Sequence, residues 1–390
     1  MKCEYMRDKY MRGGGVISEG GYGCVFYPKI SCSGRTTTNT KFISKIQRKN
    51  FFSHNEIYIS SLIKKISNNE NFFNVITDSC DVSLKKISRM DMKSCASTLK
   101  GVNTAVLSNL KYIDNKNLFS ILTEKRDTGD ETIKHIIFII TNTYKMTLRS
   151  LELLNKSNII HNDIKPDNVL YDLDRNIPII IDFGISIHKD LLTPETYKKY
   201  FYVFYPEYYI WCLDIHYICY LLHVNQNPQK DEIEEICDDF IKNNKALGGF
   251  SPDFLNKYRH MCVKALSRYI GENHLTVIKK LLKHTETWDL YSFSIIYLVI
   301  LEYWYIRGFE NNSFIIELSQ LLIENIHPFP EKRNTVSKTI EKFSGILYTH
   351  INNKNISDII NNVDDNFDVI RASILVDKSK LTKLKKNITS

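Results

Sequence analysis

Over residues 13–30 glycines alternate with apolar and aromatic residues. That pattern predicts a strand at Val16-Ile17, a glycine turn over Glu19–Gly23 and a second strand over Val25–Tyr27. Ser31–Thr40 is small and polar and reads as a loop, and Phe42–Ile46 alternates as a third strand would. Between Ser53 and Ile66, Ile57, Ile59, Leu62, Ile63 and Ile66 are spaced as on one face of a helix. Residues 67–117 show no dominant period and read as strands and loops, and the apolar run Leu118–Leu122 predicts a strand. Thr128 and Glu131 stand at capping-box spacing. Ile133, Ile136, Ile137, Ile140, Tyr144, Leu148, Leu151 and Leu154 then recur with helical spacing, and Ile177–Ile181 is an apolar strand. After an aromatic-rich stretch, Phe201–Trp211, residues 228–283 read as charged amphipathic helices. Trp288–Tyr305 is apolar enough for a buried helix, with further helices at Phe314–Ile323 and Val336–Leu347. No internal repeat is present.

The expected class is α+β: a β-rich unit over 13–125, then a mainly helical unit over 126–347, flanked by an extension at 1–12 and a tail at 348–390. A cleft between two such lobes is a natural place for a small ligand.

The chain of 390 residues is 43% hydrophobic and 25% charged, which fits a globular protein with ample core. The start, MKCEYMRDKYMRGGG, lacks an apolar h-region, so no cleavable signal is expected. Tyr291–Tyr305 is interrupted by Glu302 and too short to span a bilayer, so no transmembrane segment is expected. Nine scattered cysteines without CxxC pairs read as reduced thiols of a cytosol-like compartment, not as a disulfide framework or zinc site. The net charge of +8 is partly carried by Lys378–Lys386. That run fits a solvated terminus or a contact for acidic partners or membrane headgroups. It interleaves no aromatic residues, which argues against specific nucleic-acid binding.

Candidate chemistry concentrates in His161-Asn162-Asp163-Ile164-Lys165-Pro166-Asp167-Asn168 and in Asp182-Phe183-Gly184 behind the Ile177–Ile181 strand. An acid can accept a hydroxyl proton, a nearby lysine can neutralise a phosphate, and an amide with a second acid can hold a metal between them. Those four groups suit phosphoryl transfer from a nucleotide to an alcohol.

On these motifs, and over about Ile17–Leu347, the chain resembles the eukaryotic-type protein kinase superfamily. The resemblance implies a bilobal protein-kinase-like fold with a β-rich N-lobe and a mainly helical C-lobe. It implies Asp163 as catalytic base, Lys165 beside the transferred phosphate, and Asn168 and Asp182 as metal ligands. Ile17, Gly20, Gly21, Gly23 and Val25 would form the phosphate lid, with Ser18 replacing its usual first glycine. Lys45 would bind the α- and β-phosphates and pair with Glu56. Against that pair, Ser53 and Glu56 have capping-box spacing, and Ser60 stands where the family usually has an apolar residue. Glu124 would be the adenine-binding hinge residue and Thr123 the gatekeeper.

Tyr205-Pro206-Glu207 resembles the end of the activation segment, and Pro330–Thr335 a late Pro-x-x-Arg-x-Thr element, which implies a buried Glu207–Arg333 ion pair. Asp289 would brace the catalytic loop, with Asp214 a rival for that role. Asn162 replaces the arginine that in such kinases binds an activating phosphate, which puts activation-loop control through Thr193, Thr196 or Tyr197 in doubt. The long stretch between Glu207 and Asp289 holds a helical insertion at about 215–283. The insertion and the Asn/Ile/Lys-rich composition resemble kinases of large nucleocytoplasmic DNA viruses, which implies the host cytoplasm or the virion.

The implied cofactors are ATP and Mg²⁺, with Mn²⁺ as a substitute, and the implied partners are protein substrates. Lys165 points to the serine/threonine branch. A small-molecule kinase of the same fold generally lacks Lys165 and the Glu207–Arg333 pair. A pseudokinase scaffold would have lost at least one of Lys165, Asn168 or Asp182.

Overall fold

The glycine-flanked turn folds its neighbours into a hairpin: β1 (Gly15–Gly20) pairs antiparallel with β2 (Gly23–Tyr27), with a register shift between Val16 and Ser18. In the computed structural model, which describes residues 15–20, 23–87, 95, 98–124, 130–306 and 312–350, this hairpin edges a five-stranded sheet. The sheet adds β3 (Phe42–Arg48), β4 (Asp78–Ser83) and β5 (Thr104–Lys111) in the order β1-β2-β3-β5-β4. One face buries Cys24, Phe26, Ile46, Val82 and Leu107 in a core of its own. Between β3 and β4 runs α1 (Phe51–Ile63), which starts earlier than the periodicity predicts. Asn50 caps it by accepting from Ser53 N at 3.1 Å, and Ser53 Oγ accepts in return from Asn50 N. Glu56 therefore has no capping task.

Two disulfides cross this lobe, Cys24–Cys95 and Cys32–Cys80, each with Cα atoms 6.0 Å apart. The expectation of reduced thiols fails for these four residues. Their partners lie 71 and 48 residues apart in sequence, so spacing could not reveal them; the sheet brings them together. Cys212, Cys219, Cys237 and Cys262 are free and buried.

β5 ends at Lys111, and the chain drops through 112–114 to β6 (Asn115–Asn117), which already pairs with the lower lobe. The expected strand at Leu118–Leu122 is instead a helix, α2 (Leu118–Thr123). Asn117 caps it through Ser120 N at 2.7 Å, and Leu118, Ile121 and Leu122 are buried on one face. A short apolar run carries no period that separates strand from helix. The Trp304 indole donates to the Leu122 carbonyl and the Tyr303 hydroxyl to that of Thr123, both at 2.9 Å, so α2 belongs to the lower lobe. The change of lobe falls at 112–114, ahead of residue 125.

The lower lobe continues with α3 (Asp130–Lys156). The Thr128 end of the expected capping box lies outside the described residues. Three strand pairs then frame the site: β7 (Ile159–Ile160) returns against β10 (Ile187–His188), and β8 (Val169–Asp172) pairs with β6 and with β9 (Ile177–Ile180). After the short α4 (Tyr197–Tyr200), the segment expected as an insertion holds α5 (Leu213–His223), α6 (Lys230–Asn243), α7 (Pro252–Ser267) and α8 (His274–Leu281). These helices pack inward. Asn244 Nδ2 donates to the Tyr291 hydroxyl at 3.0 Å, and the Tyr258 hydroxyl donates to the Ile326 carbonyl at 2.7 Å.

The centre of the lobe is α9 (Trp288–Trp304), buried on nearly every side, as its predominantly apolar sequence requires. Around it lie α10 (Ser313–Asn325) and α11 (Val336–His350); Tyr144 of α3 packs against Phe293 and Tyr297 of α9 and against Phe343 of α11. Among the described residues no helix is long and apolar enough to cross a membrane.

Candidate active site

The loop at 161–168 is held from beneath. Asp289, in the first turn of α9, accepts the backbone N–H of His161 at 2.7 Å and of Asn162 at 2.8 Å. Asp289, rather than Asp214, is thus the bracing acid. Asn162 has a positive φ of 65°, a conformation asparagine tolerates better than most residues, and its carbonyl accepts the Trp211 indole at 2.9 Å. His161 is fully buried, which holds its pKa below the usual range. Its Nδ1 faces the Asp163 N–H at 3.2 Å, so Nε2 carries the proton and donates to the Ile181 carbonyl at 2.9 Å.

Above this brace stands Asp163. Lys165 Nζ reaches its Oδ2 at 2.9 Å, and Asn168 Nδ2 reaches the same oxygen at 2.8 Å. The Tyr208 hydroxyl takes the other oxygen, Oδ1. Burial pushes the Asp163 carboxyl above its ordinary range, and Lys165 and Tyr208 only partly offset that. The 3₁₀ turn Pro166–Asn168 presents the amide, and the proline fixes its first residue.

A second cluster spans the two lobes. Lys45 Nζ lies 3.0 Å from both Glu56 carboxylate oxygens and 2.9 Å from Asp182 Oδ1. Burial alone would lower the Lys45 pKa, but the Asp182 and Glu56 charges raise it, so the ammonium is kept charged. For Asp182, Lys45 outweighs the raising effect of burial and holds the carboxyl below its usual range. Gln47 Nε2 adds a bond to Glu56 at 3.0 Å. Asn55 Nδ2 ties α1 to the Gly184 and Ser186 carbonyls at 3.1 and 2.8 Å. Ser60 is buried and accepts the Ile76 N–H at 3.3 Å, so its hydroxyl has a structural use in place of an apolar contact. Phe73 and His161 flank the buried Phe183 ring, with centroids at 6.0 and 4.9 Å.

The lid strands lie over this cluster. Gly20 pairs with Gly23 across the hairpin, and Val25 pairs with Lys45. A Cβ on Gly23 would meet Gln47 Cγ at 2.7 Å and lie closer still to the Ile46 carbonyl, so only glycine lets β2 approach β3 here. Ile17 is on the open face of β1, and Gly21 lies outside the described residues.

Two expectations are corrected. Glu124 follows α2 in the lower lobe, where Lys116 Nζ contacts it at 2.7 Å, and the neighbouring Thr123 closes that helix. Neither is at the end of a sheet strand, so the hinge and gatekeeper positions do not fall on them. Nor does Arg333 pair with Glu207, which is exposed; its guanidinium bonds the buried Asp214 carboxylate instead. The Trp288 indole donates to the same Asp214 oxygen at 3.1 Å. Local resemblance identified the arginine correctly but could not tell which acid α5 would carry to it. Tyr208, Asn55 and Gln47 escaped the sequence reading. The aromatic-rich stretch signalled Tyr208's segment, yet no periodicity shows which ring turns inward.

The donor set fits a hard divalent cation completed by phosphate oxygens. Asn168 commits its amide nitrogen to Asp163, which leaves its carbonyl oxygen for a cation. Asp182 commits Oδ1 to Lys45, which leaves Oδ2. Magnesium is bound in this way, by few protein oxygens plus substrate phosphates. Among the described residues no group of three or more His, Cys, Asp or Glu could hold a metal alone.

Residues 14–202 match the family model of the protein kinase domain. A mitogen-activated protein kinase, pmk-3, of Caenorhabditis elegans is 33% identical over 106 residues, covering 25% of this chain and 21% of that protein. The SNF1-related protein kinase catalytic subunit alpha KIN12 of Arabidopsis thaliana is 30% identical over 77 residues, 20% of this chain and 14% of that protein. The serine/threonine-protein kinase 1 of Heliothis zea nuclear polyhedrosis virus is 23% identical over 189 residues, 45% of this chain and 66% of that protein. The chain thus spans about a fifth or less of the first two relatives and about two thirds of the viral one. The two-lobed architecture, the Asp163 and Asp182 clusters and these matches agree: residues 14–202 match a protein kinase domain, and the chain is similar to the eukaryotic-type protein kinase superfamily, with a viral serine/threonine kinase among its relatives.

Proposed function

We propose that this chain is a protein kinase that transfers the γ-phosphoryl group of ATP to serine and threonine hydroxyls. The observation that carries the reading is the arrangement at Asp163: Lys165 and Asn168 saturate one carboxylate oxygen, and the other faces a hydroxyl. Asp163 would hold the acceptor hydroxyl at Oδ1 and take up its proton. Lys165 would turn from Asp163 toward the transferred group and neutralise its charge. Lys45, kept charged by Glu56 and Asp182, would bind the α- and β-phosphates, with Gly20 and Gly23 letting the lid backbone approach them. Asn168 and Asp182 would hold magnesium, which neutralises phosphate charge when bound. The connector at 112–114, where the sheet gives way to the lower lobe, takes over the adenine-binding role expected of Glu124. The Lys45–Glu56 and Lys45–Asp182 contacts favour an active enzyme over a scaffold.

The test is Asp163→Asn with ATP, magnesium and myelin basic protein. Transfer should fall by about a hundredfold or more, the scale on which positioned proton transfer contributes, while nucleotide binding by thermal shift persists. Near-native transfer by the variant would refute the role of Asp163. A wild type that labels small alcohols and no protein would move the reading to a small-molecule kinase.

A further inference from the structure

The Tyr208 phenol is bonded to the one Asp163 oxygen that Lys165 and Asn168 leave open. Its own segment holds it there. Tyr208 N–H donates to the Tyr205 carbonyl at 3.0 Å and Trp211 N–H to the Tyr208 carbonyl at 3.1 Å, so 205–211 forms a tight double turn. The Tyr208 ring meets Trp211 edge-on at 4.9 Å, and the Trp211 indole is itself bonded to the Asn162 carbonyl. The ring is thus fastened to the same loop that carries the base. Tyr197 and Tyr200, two of the other tyrosines that follow Asp182 in this segment, are buried.

An alcohol bonded to a buried carboxylate, with an ammonium beside it, is what an acceptor substrate presents to this site. We propose, resting on the phosphotransfer reading above, that Tyr208 is an intramolecular acceptor and that the chain phosphorylates it in cis. The Tyr208 Oη–Pγ bond forms as the bond from Pγ to the β,γ-bridging oxygen breaks. ADP leaves with that oxygen, and the phenolic proton passes to Asp163 Oδ1. A phenol, with an ordinary pKa of about 10, needs less help from the base than an aliphatic alcohol does.

The product cannot stay where it forms. A phosphotyrosine dianion beside the Asp163 carboxylate is repelled, and the segment must carry it away. That movement vacates Oδ1 for a serine or threonine hydroxyl of another protein. Tyr208 is therefore both the first acceptor and the plug of the acceptor position. The device needs no arginine before Asp163, which suits the asparagine at 162.

The experiment uses the full chain, first treated with a tyrosine phosphatase that is then removed. ATP and magnesium are added over a wide range of enzyme dilution, with myelin basic protein as second acceptor. Peptide mass spectrometry follows Tyr208 while label in the basic protein is counted. The expected result is phosphate on Tyr208 with a first-order rate constant independent of dilution. Labelling of the basic protein should show a lag of the same time constant. Tyr208→Phe should abolish the lag, and the wild-type dilution series decides the matter even if that variant folds poorly. Tyr208 unmodified while the basic protein is labelled from the start would overturn the inference and leave the kinase reading intact. A Tyr208 rate that rises with enzyme concentration would overturn the cis assignment. No label on either acceptor would overturn the kinase reading and this inference with it.

Discussion

At the scale of single residues, the site is governed by what burial does to charge. As the proposed base, Asp163 would have to be ionised to accept a proton, yet burial raises its pKa. Protonation therefore removes the base as pH falls through that raised value. The acid limb of the kcat profile should lie above the ordinary aspartate value of about 3.9, and a limb at that ordinary value would contradict the burial argument. Arg333 and Asp214, 1% and 3% exposed at their side chains, form the other costly pair. Arg333→Met should cost about 3–5 kcal/mol, because it strands a buried carboxylate. Asp214→Asn in the same chain should restore part of that loss, read as the melting temperature of the double variant against the single one. Asp163, Lys165, Asn168 and Asp182 were legible as candidates because they stand at short, fixed spacing within two motifs, and Asp289 because it opens an apolar helix. Tyr208 and Asp214 were not, because their partners lie 45 and 119 residues away in sequence.

At the scale of elements, legibility followed the length of the pattern. The long helix α3 could be read from its periodicity, α9 from the length of its apolar run, and the hairpin β1–β2 from its glycines. The short run Leu118–Leu122 could not, since its polar cap Asn117 decides for a helix where composition alone is neutral. That one element is why the hinge role expected of Glu124 is proposed for the connector instead. The disulfides make an element-scale prediction of their own. Cys24 sits in β2 and Cys80 in β4, so the bridges hold two strands of the sheet to the segments beside them. Non-reducing peptide mapping should find Cys24 linked to Cys95 and Cys32 to Cys80. Reduction should lower stability by about 2–4 kcal/mol per bridge, measured by denaturant unfolding with and without dithiothreitol. Four free thiols at those positions in unreduced protein would refute the pairing.

At the scale of the whole molecule, the helices of 213–281 are part of the lower lobe. They contribute Asp214 to Arg333, Asn244 to Tyr291 and Tyr258 to the Ile326 carbonyl. Excising 225–283 with a short linker should therefore give a chain that fails to fold, seen as loss of cooperative melting by circular dichroism. A variant that melts cooperatively near the wild-type temperature would show the helices to be a detachable ornament. The sequence marked this region as extra length; its integration could not be read there, since it rests on side chains meeting across the lobe.

The brace beneath the catalytic loop also sets a timetable. His161 and Asn162 are synthesised long before Asp289, which lies 128 and 127 residues further along, and Arg333 follows later still. Contacts of such sequence separation close late in folding. On the ribosome the growing chain thus carries its catalytic loop for a long interval without the residues that shape it. The nascent lower lobe should be inert toward the proteins around it until the last third of the chain has emerged.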